Sequence, residues 1–242
     1  IAEVMVCMFG PTSDQYGLLH RGTRVRKMHS SYRSTFRTLS DRPLATISRD
    51  ELHPICDNYR KRSFTTLGEE NRSPEARAAA MQNFKVTPVF DDRISIVYYY
   101  PGMKADIFDS LIEKGYKGIV IAGTGLGHVN RDVYPAILRA SQAGVSVFMT
   151  VQTLWGYAQM YVYETGRELM GMGVMPLANM LPEVAYMKLG WALGQTGDVL
   201  EVARIMTTPN SSDMTPREPH DGYLVYQGGL PELEAFVKRT RK

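Results

Sequence analysis

The sequence predicts an α/β fold built on parallel strands, and three observations carry that expectation. Strand-like apolar runs start at Ile94, Ile119 and Val145, 25 and 26 residues apart, which is the length of a strand, a crossover helix and a return. The middle run, Gly118–Ala122, ends in Gly123-Thr-Gly-Leu-Gly127-His128, and a glycine-rich turn between a strand and a helix is where parallel sheets place small-molecule sites. Upstream, Glu3 to Met8 reads as a buried strand ended by Gly10-Pro11.

The elements follow in order. Residues 14–37 read as loop and short strand, rich in Ser, Thr and Arg, and Leu44 to Ile47 as another short strand. Thr65 to Asn83 is polar and encloses a helical stretch from Pro74 to Met81, with Ser73 as its cap. Ile94 to Tyr100 is β-branched and aromatic, hence a strand broken by Pro101-Gly102. Met103 to Lys114 carries Ile107 and Leu111 four apart and closes at Gly115, which marks a helix end. Asp132 is placed to cap a helix that tolerates Pro135 in its first turn and runs to Gln142. Val145 to Met149 is the third strand. Tyr157 to Met170 reads as helix. Asn179 is expected to cap the next helix, with Pro182 and Glu183 in its first turn. Val199 to Met206 is a shorter helix. Residues 208–222 carry three prolines and read as loop or disorder, and Glu232 to Lys242 as a last amphipathic helix. The division expected is a first unit over 1–92 and a second over 93–242.

Composition sets outer limits. With 242 residues, 44% hydrophobic and 22% charged, the chain can bury a core. No apolar run approaches the ~20 residues of a membrane helix. Cys7 and Cys56 are the two cysteines, expected as reduced thiols of a cytoplasmic protein. No Cys-x-x-Cys or His-x-x-x-His spacing occurs, so no metal site is expected. The net charge of +3 conceals a dense basic segment. Residues 20–49 hold eight Arg or Lys against Asp41 alone, a density that suits an anionic partner such as RNA or, more simply, a solvated basic loop.

Four places carry candidate chemistry. Lys27 follows Thr23-Arg-Val-Arg and precedes Met28-His29-Ser30-Ser31; a lysine among cations and hydroxyls can lose its proton readily enough for proton transfer, or be a solvated loop residue. The turn at 123–127 lacks the Gly-Lys-Ser/Thr of a phosphate loop and does not fit Gly-x-Gly-x-x-Gly; Gly127 there either lets a ligand approach the backbone or only closes a tight turn. His128 sits at the mouth of that turn. Gln152, Tyr161, Tyr163 and Glu164 follow the third strand at the expected site edge, although Trp155, Tyr157, Tyr161 and Tyr163 also suit packing of the next helix.

Together these segments resemble a known family. Val4–Phe9, His20-Arg-Gly-Thr-Arg-Val-Arg-Lys-Met-His29 and Phe36-Arg37 are similar to the second half of the amino-terminal domain of L-asparaginase-like amidohydrolases. Ile96–Tyr98, Gly118–His128, Pro135-Ala136 and Met180–Leu189 are similar to their smaller carboxyl-terminal domain. Within that family, the glycine turn and the Arg21–His29 segment most resemble the ammonia-supplying component of archaeal-type glutamyl-tRNA(Gln) amidotransferases. The resemblance implies the remainder of a flavodoxin-like parallel-sheet domain followed by a smaller parallel α/β domain. It implies hydrolysis of the side-chain amide of glutamine or asparagine by a threonine nucleophile, with Lys27 assisting proton transfer. It places His128, with Gly127, at a contact to the neighbouring subunit's site, and Tyr163 or Glu164 near another. No cofactor is implied. The implied partners are a second copy of the chain and an amidotransferase subunit that binds tRNA and ATP. A free-standing L-asparaginase and a noncatalytic binding domain of the same fold are the competing readings. The family's Thr-Gly-Gly-Thr and Gly-Thr-Asp-Thr motifs do not occur here. On this reading they belong upstream of Ile1, and the sequence is the carboxyl-terminal part of a longer protein, inactive alone.

Overall fold

A computed structural model describes residues 1–10, 16–61, 74–75 and 86–219. The helices expected around residues 74–81 and 232–242 fall mainly or wholly outside the described residues. In the first half, strands β1 (Met5–Phe9), β2 (Gly17–Arg21), β5 (Ala45–Ile47) and β6 (Leu52–Pro54) form one sheet in the order β1-β2-β5-β6. A hairpin of β3 (Val25–Lys27) and β4 (Phe36–Thr38) stands beside it. Every pair in these two sheets is antiparallel. For β1–β2, β3–β4 and β5–β6 the connections explain this, since fewer than a dozen residues cannot supply a parallel crossover; between β2 and β5 the chain instead goes out through the β3–β4 hairpin and returns.

The parallel sheet lies in the second half, in the order β10-β9-β8-β7. Its strands are β7 (Ile94–Tyr98), β8 (Gly118–Gly123), β9 (Ser146–Val151) and β10 (Met175–Pro176). Helices α1 (Asp106–Glu113), α2 (Tyr134–Gln142), α3 (Glu164–Gly171), α4 (Pro182–Gln195) and α5 (Val199–Thr207) complete it. Side chains alternate across the strands. Ile119, Ile121, Val147 and Met149 pack with Phe108 of α1, Ala136 and Ile137 of α2 and Leu169 of α3. Val120 and Phe148 face the other way, onto Ala185 and Leu189 of α4 and Val202 of α5. Burial on both faces is why these strands read as continuous apolar runs rather than as alternation.

Three local expectations are corrected. The stretch before α3 is not helical from Tyr157, because the Ala158 N–H donates to the Ala178 carbonyl at 2.8 Å and commits that backbone to a β-bridge. Asp132 does not cap α2; its carboxylate accepts from Asn130 Nδ2 at 2.8 Å, and a short 3-10 turn over Arg131–Val133 leads into the helix. Asn179 does not cap α4, whose N-cap is Leu181. Its side chain instead donates to Thr215 Oγ1 (2.6 Å) and accepts from the Thr215 N–H (2.9 Å).

The basic segment is not simply a solvated loop. Arg21 is buried between Glu3 and Asp41, at 2.5 and 2.6 Å. Arg24 is 0% exposed; it donates to the Asn179 carbonyl at 2.7 Å and to Thr215 Oγ1 at 3.1 Å. Thr23 Oγ1 donates to the Ser211 carbonyl at 2.7 Å. The loop at 208–219 thus joins the two halves. It is further fixed by a buried Lys188–Asp213 pair at 2.7 Å and by Glu218, which accepts from the Gly156 N–H at 2.7 Å.

Two expected outcomes follow. Arg24→Ala strands the buried Asn179 carbonyl and removes the cation that the loop is arranged around, so urea unfolding registers a loss of about 3 kcal/mol or more. His20 is 1% exposed, with Nδ1 2.9 Å from Thr38 Oγ1, and burial lowers its pKa from 6.5 to about 4. The unfolded chain therefore binds the extra proton first as pH falls. Stability is full above pH 6.5 and falls by roughly 3 kcal/mol down to about pH 4, and His20→Gln flattens that part of the pH–stability curve.

Candidate functional site

The carboxyl edge of the parallel sheet presents three strand ends. After β8 the chain closes on itself: the Thr124 N–H donates to the His128 carbonyl, and the His128 N–H to the Thr124 carbonyl, both at 2.9 Å. Gly125 and Gly127 hold φ of +53° and +97°, conformations that cost a residue with a Cβ about 1–2 kcal/mol. A Cβ on Gly127 would also lie 2.9 Å from Met149 Cγ. After β9, Gln152 Nε2 donates to the Tyr99 and Ala122 carbonyls at 2.5 and 2.8 Å, fixing the neighbouring strand ends. Gln152 is therefore a tie within the edge.

His128 follows the turn. Its Nδ1 lies 3.1 Å from Thr165 Oγ1, and its ring is 5.6 Å from that of Tyr163, tilted by 60°. Burial lowers its pKa, favouring the neutral ring. Nε2 is shut off from solvent and has no hydrogen-bond partner among the described residues. Tyr163 itself is 58% exposed, as is much of Tyr161, so these two rings do not serve to pack α3. Glu164, the first residue of α3, lies 3.4 Å from Arg131. Arg131 engages Glu168 more closely, through Nε at 2.9 Å and Nη2 at 2.8 Å. Gly127, His128, Tyr163 and Glu164 are thus gathered on one edge. Arg131 escaped sequence reasoning because its partners lie more than thirty residues further on, with no spacing to betray them.

Lys27 stands elsewhere, as the exposed last residue of β3 opposite Phe36. Among the described residues it makes no hydrogen bond or ion pair, and none joins it to the His128 cluster. Its neighbour Arg26 pairs with Glu183 at the start of α4 and donates to Tyr98 Oη at 3.3 Å, at the end of β7. Glu183 also accepts from Tyr98 Oη at 3.3 Å. Adjacent side chains leave a strand on opposite faces, so Lys27 departs from the face away from this interface.

Residues 93–206 match the Glutaminase/Asparaginase C-terminal domain. Over 224 residues the chain is 46% identical to the D subunit of the glutamyl-tRNA(Gln) amidotransferase of Thermococcus kodakarensis, covering 92% of this chain and 47% of that protein. It is 44% identical over 225 residues to the corresponding protein of Pyrococcus furiosus, covering 93% and 48%. The thermostable L-asparaginase from Thermococcus kodakarensis superposes with a TM-score of 0.67 at 26% identity, over 82% of this chain and 55% of that one. The chain therefore spans about half the length of the curated relatives it matches.

The turn makes a graded prediction. Gly127→Ala combines positive φ with the Met149 contact and costs about 2 kcal/mol or more. Gly125→Ala, with nothing within 4 Å of the added Cβ, costs about 1 kcal/mol. Thermal unfolding of the two variants gives the order.

Proposed function

With residues 93–206 of this asparaginase-like chain forming a glutaminase/asparaginase C-terminal domain, we propose that the protein takes part in releasing ammonia from the side-chain amide of glutamine or asparagine. The ammonia passes to a partner subunit that binds tRNA and ATP and amidates glutamate on tRNA(Gln). The observation that carries this reading is the 46% identity, over nearly the whole chain, to a component of a glutamyl-tRNA(Gln) amidotransferase.

The chemistry divides as follows. A threonine hydroxyl, carried outside these 242 residues, attacks the amide carbon and displaces the nitrogen, which leaves as ammonia once protonated; water then hydrolyses the acyl-threonine. Lys27 moves the proton, for which an ammonium without a carboxylate partner among the described residues is free to serve. Gly127, His128, Tyr163 and Glu164 form the edge offered to a second copy of the chain. There His128 contributes its neutral ring and Tyr163 an exposed aromatic face. Residues 1–92 and 93–242 act as the two units of this arrangement. The similarity in fold to an L-asparaginase supports a second reading, a free-standing asparaginase with the same chemistry and no tRNA role.

Ammonia release by the full-length protein separates the two readings. A rise on adding glutamyl-tRNA and the partner subunit supports the amidotransferase; release indifferent to both supports the asparaginase. Lys27→Ala lowers either rate by at least about 100-fold without changing the circular dichroism melt, since the side chain is exposed. Full activity in that variant removes Lys27 from the mechanism.

A further inference from the structure

The basic segment is only partly accounted for by the contacts above. Arg21, Arg24 and Arg26 are committed to Glu3 and Asp41, to Asn179 and Thr215, and to Glu183. Arg37, on β4, is not matched by a carboxylate among the described residues. Its guanidinium is held in place nonetheless: Nε donates to the Ser34 carbonyl at 2.7 Å and Nη2 to Ser34 Oγ at 2.8 Å. Nη1 is buried with no hydrogen-bond partner among the described residues. Burial pushes the Arg37 pKa down, the sign of a cation held partly out of water without a counter-charge. A pinned, half-buried, uncompensated guanidinium is a poor stabilising device and a good anion receptor.

It does not stand alone. Arg37 lines a cavity of about 350 Å3 with Met28, His29, Tyr32 and Ser34, within the usual size range of small-molecule sites. The Ser31 N–H donates to His29 Nδ1 at 3.0 Å, which fixes Nδ1 as the acceptor and leaves the ring proton on Nε2 as a donor. Tyr32 stands 5.7 Å from the His29 ring and is 58% exposed, an aromatic face free to take a flat partner. Behind Arg37 lies His20, buried and lowered partly by that cation, its Nε2 also without a hydrogen-bond partner among the described residues.

We propose that this cavity binds a nucleotide, its phosphate met by Arg37 and His29 Nε2–H and its base stacked on Tyr32. A cation supplies the charge match and an aromatic face a sequence-tolerant stacking platform, the combination by which proteins hold single nucleotides and single-stranded ends. The phosphate comes either from a free mononucleotide or from an RNA end; both present the same chemistry to Arg37 and Tyr32. The site is separate from the His128 edge and begins one residue after Lys27, but its argument does not rest on the amidase reading.

Isothermal titration of the full-length protein with AMP, inorganic phosphate and a short 5′-phosphorylated single-stranded oligoribonucleotide tests it. Saturable nucleotide binding is expected, at least tenfold tighter than phosphate and weakening as salt rises. Tyr32→Ala should reduce nucleotide affinity about tenfold while leaving phosphate binding unchanged, and Arg37→Gln should reduce both. If Arg37→Gln fails to fold, the Tyr32→Ala pair of titrations decides alone, because that side chain is exposed. Tighter binding of AMP identifies a free nucleotide as the ligand, and tighter binding of the oligonucleotide an RNA end. Absence of saturable binding, phosphate binding as tightly as AMP, or unaltered nucleotide affinity in Tyr32→Ala would overturn the proposal.

Discussion

One buried guanidinium organises the relation between the two halves of this molecule. Arg24 sits between a short antiparallel hairpin and the loop that follows the last described helix, and its donors reach the Asn179 carbonyl and the Thr215 hydroxyl. A cation wholly removed from water needs acceptors, and Arg24 finds these two while its Nε is left without a partner among the described residues. That requirement dictates where the 208–219 loop runs, what Asn179 does with its amide and how β3 lies against the start of α4. Arg26, two residues on, extends the same seam to Glu183 and Tyr98. Alternation along β3 then turns Lys27 away from the seam.

The parallel sheet was legible in the sequence because its signal is local. Three apolar runs at a regular interval, glycines at helix ends and prolines in first turns place β7 to β9 and α1, α2, α4 and α5 within a few residues. The short β10 strand carried too few residues for any pattern. The helix expected from Tyr157 failed for another reason: the Ala158–Ala178 bridge is made twenty residues away and overrides local preference.

The candidate site was legible to a lesser degree. That the turn at 123–127, His128, Tyr163 and Glu164 lie at the carboxyl edge of the sheet was readable, since position after a strand's carboxyl end is itself information. Their mutual geometry was not. The basic segment shows the limit most plainly. Charge density in 20–49 was visible, but not that Arg21 and Arg24 are buried and structural while Arg37 lacks a carboxylate among the described residues. Whether an arginine is solvated, paired or stranded depends on residues up to 191 positions away. Similarly, the prolines of 208–222 correctly excluded helix and strand over the described part of that stretch, but composition says nothing about hydrogen bonds to distant side chains.

The reach of those bonds has a consequence in time. Thr23 and Arg24 find their partners 188 and 191 residues further along the chain. At ordinary rates of synthesis that distance corresponds to roughly 10–40 s. The Asn179 carbonyl, 155 positions along, supplies the first acceptor for Arg24, and the arginine's full set of bonds waits for Thr215 in the loop at 208–219. The seam between the two halves is therefore completed later than the short-range pairings within each half.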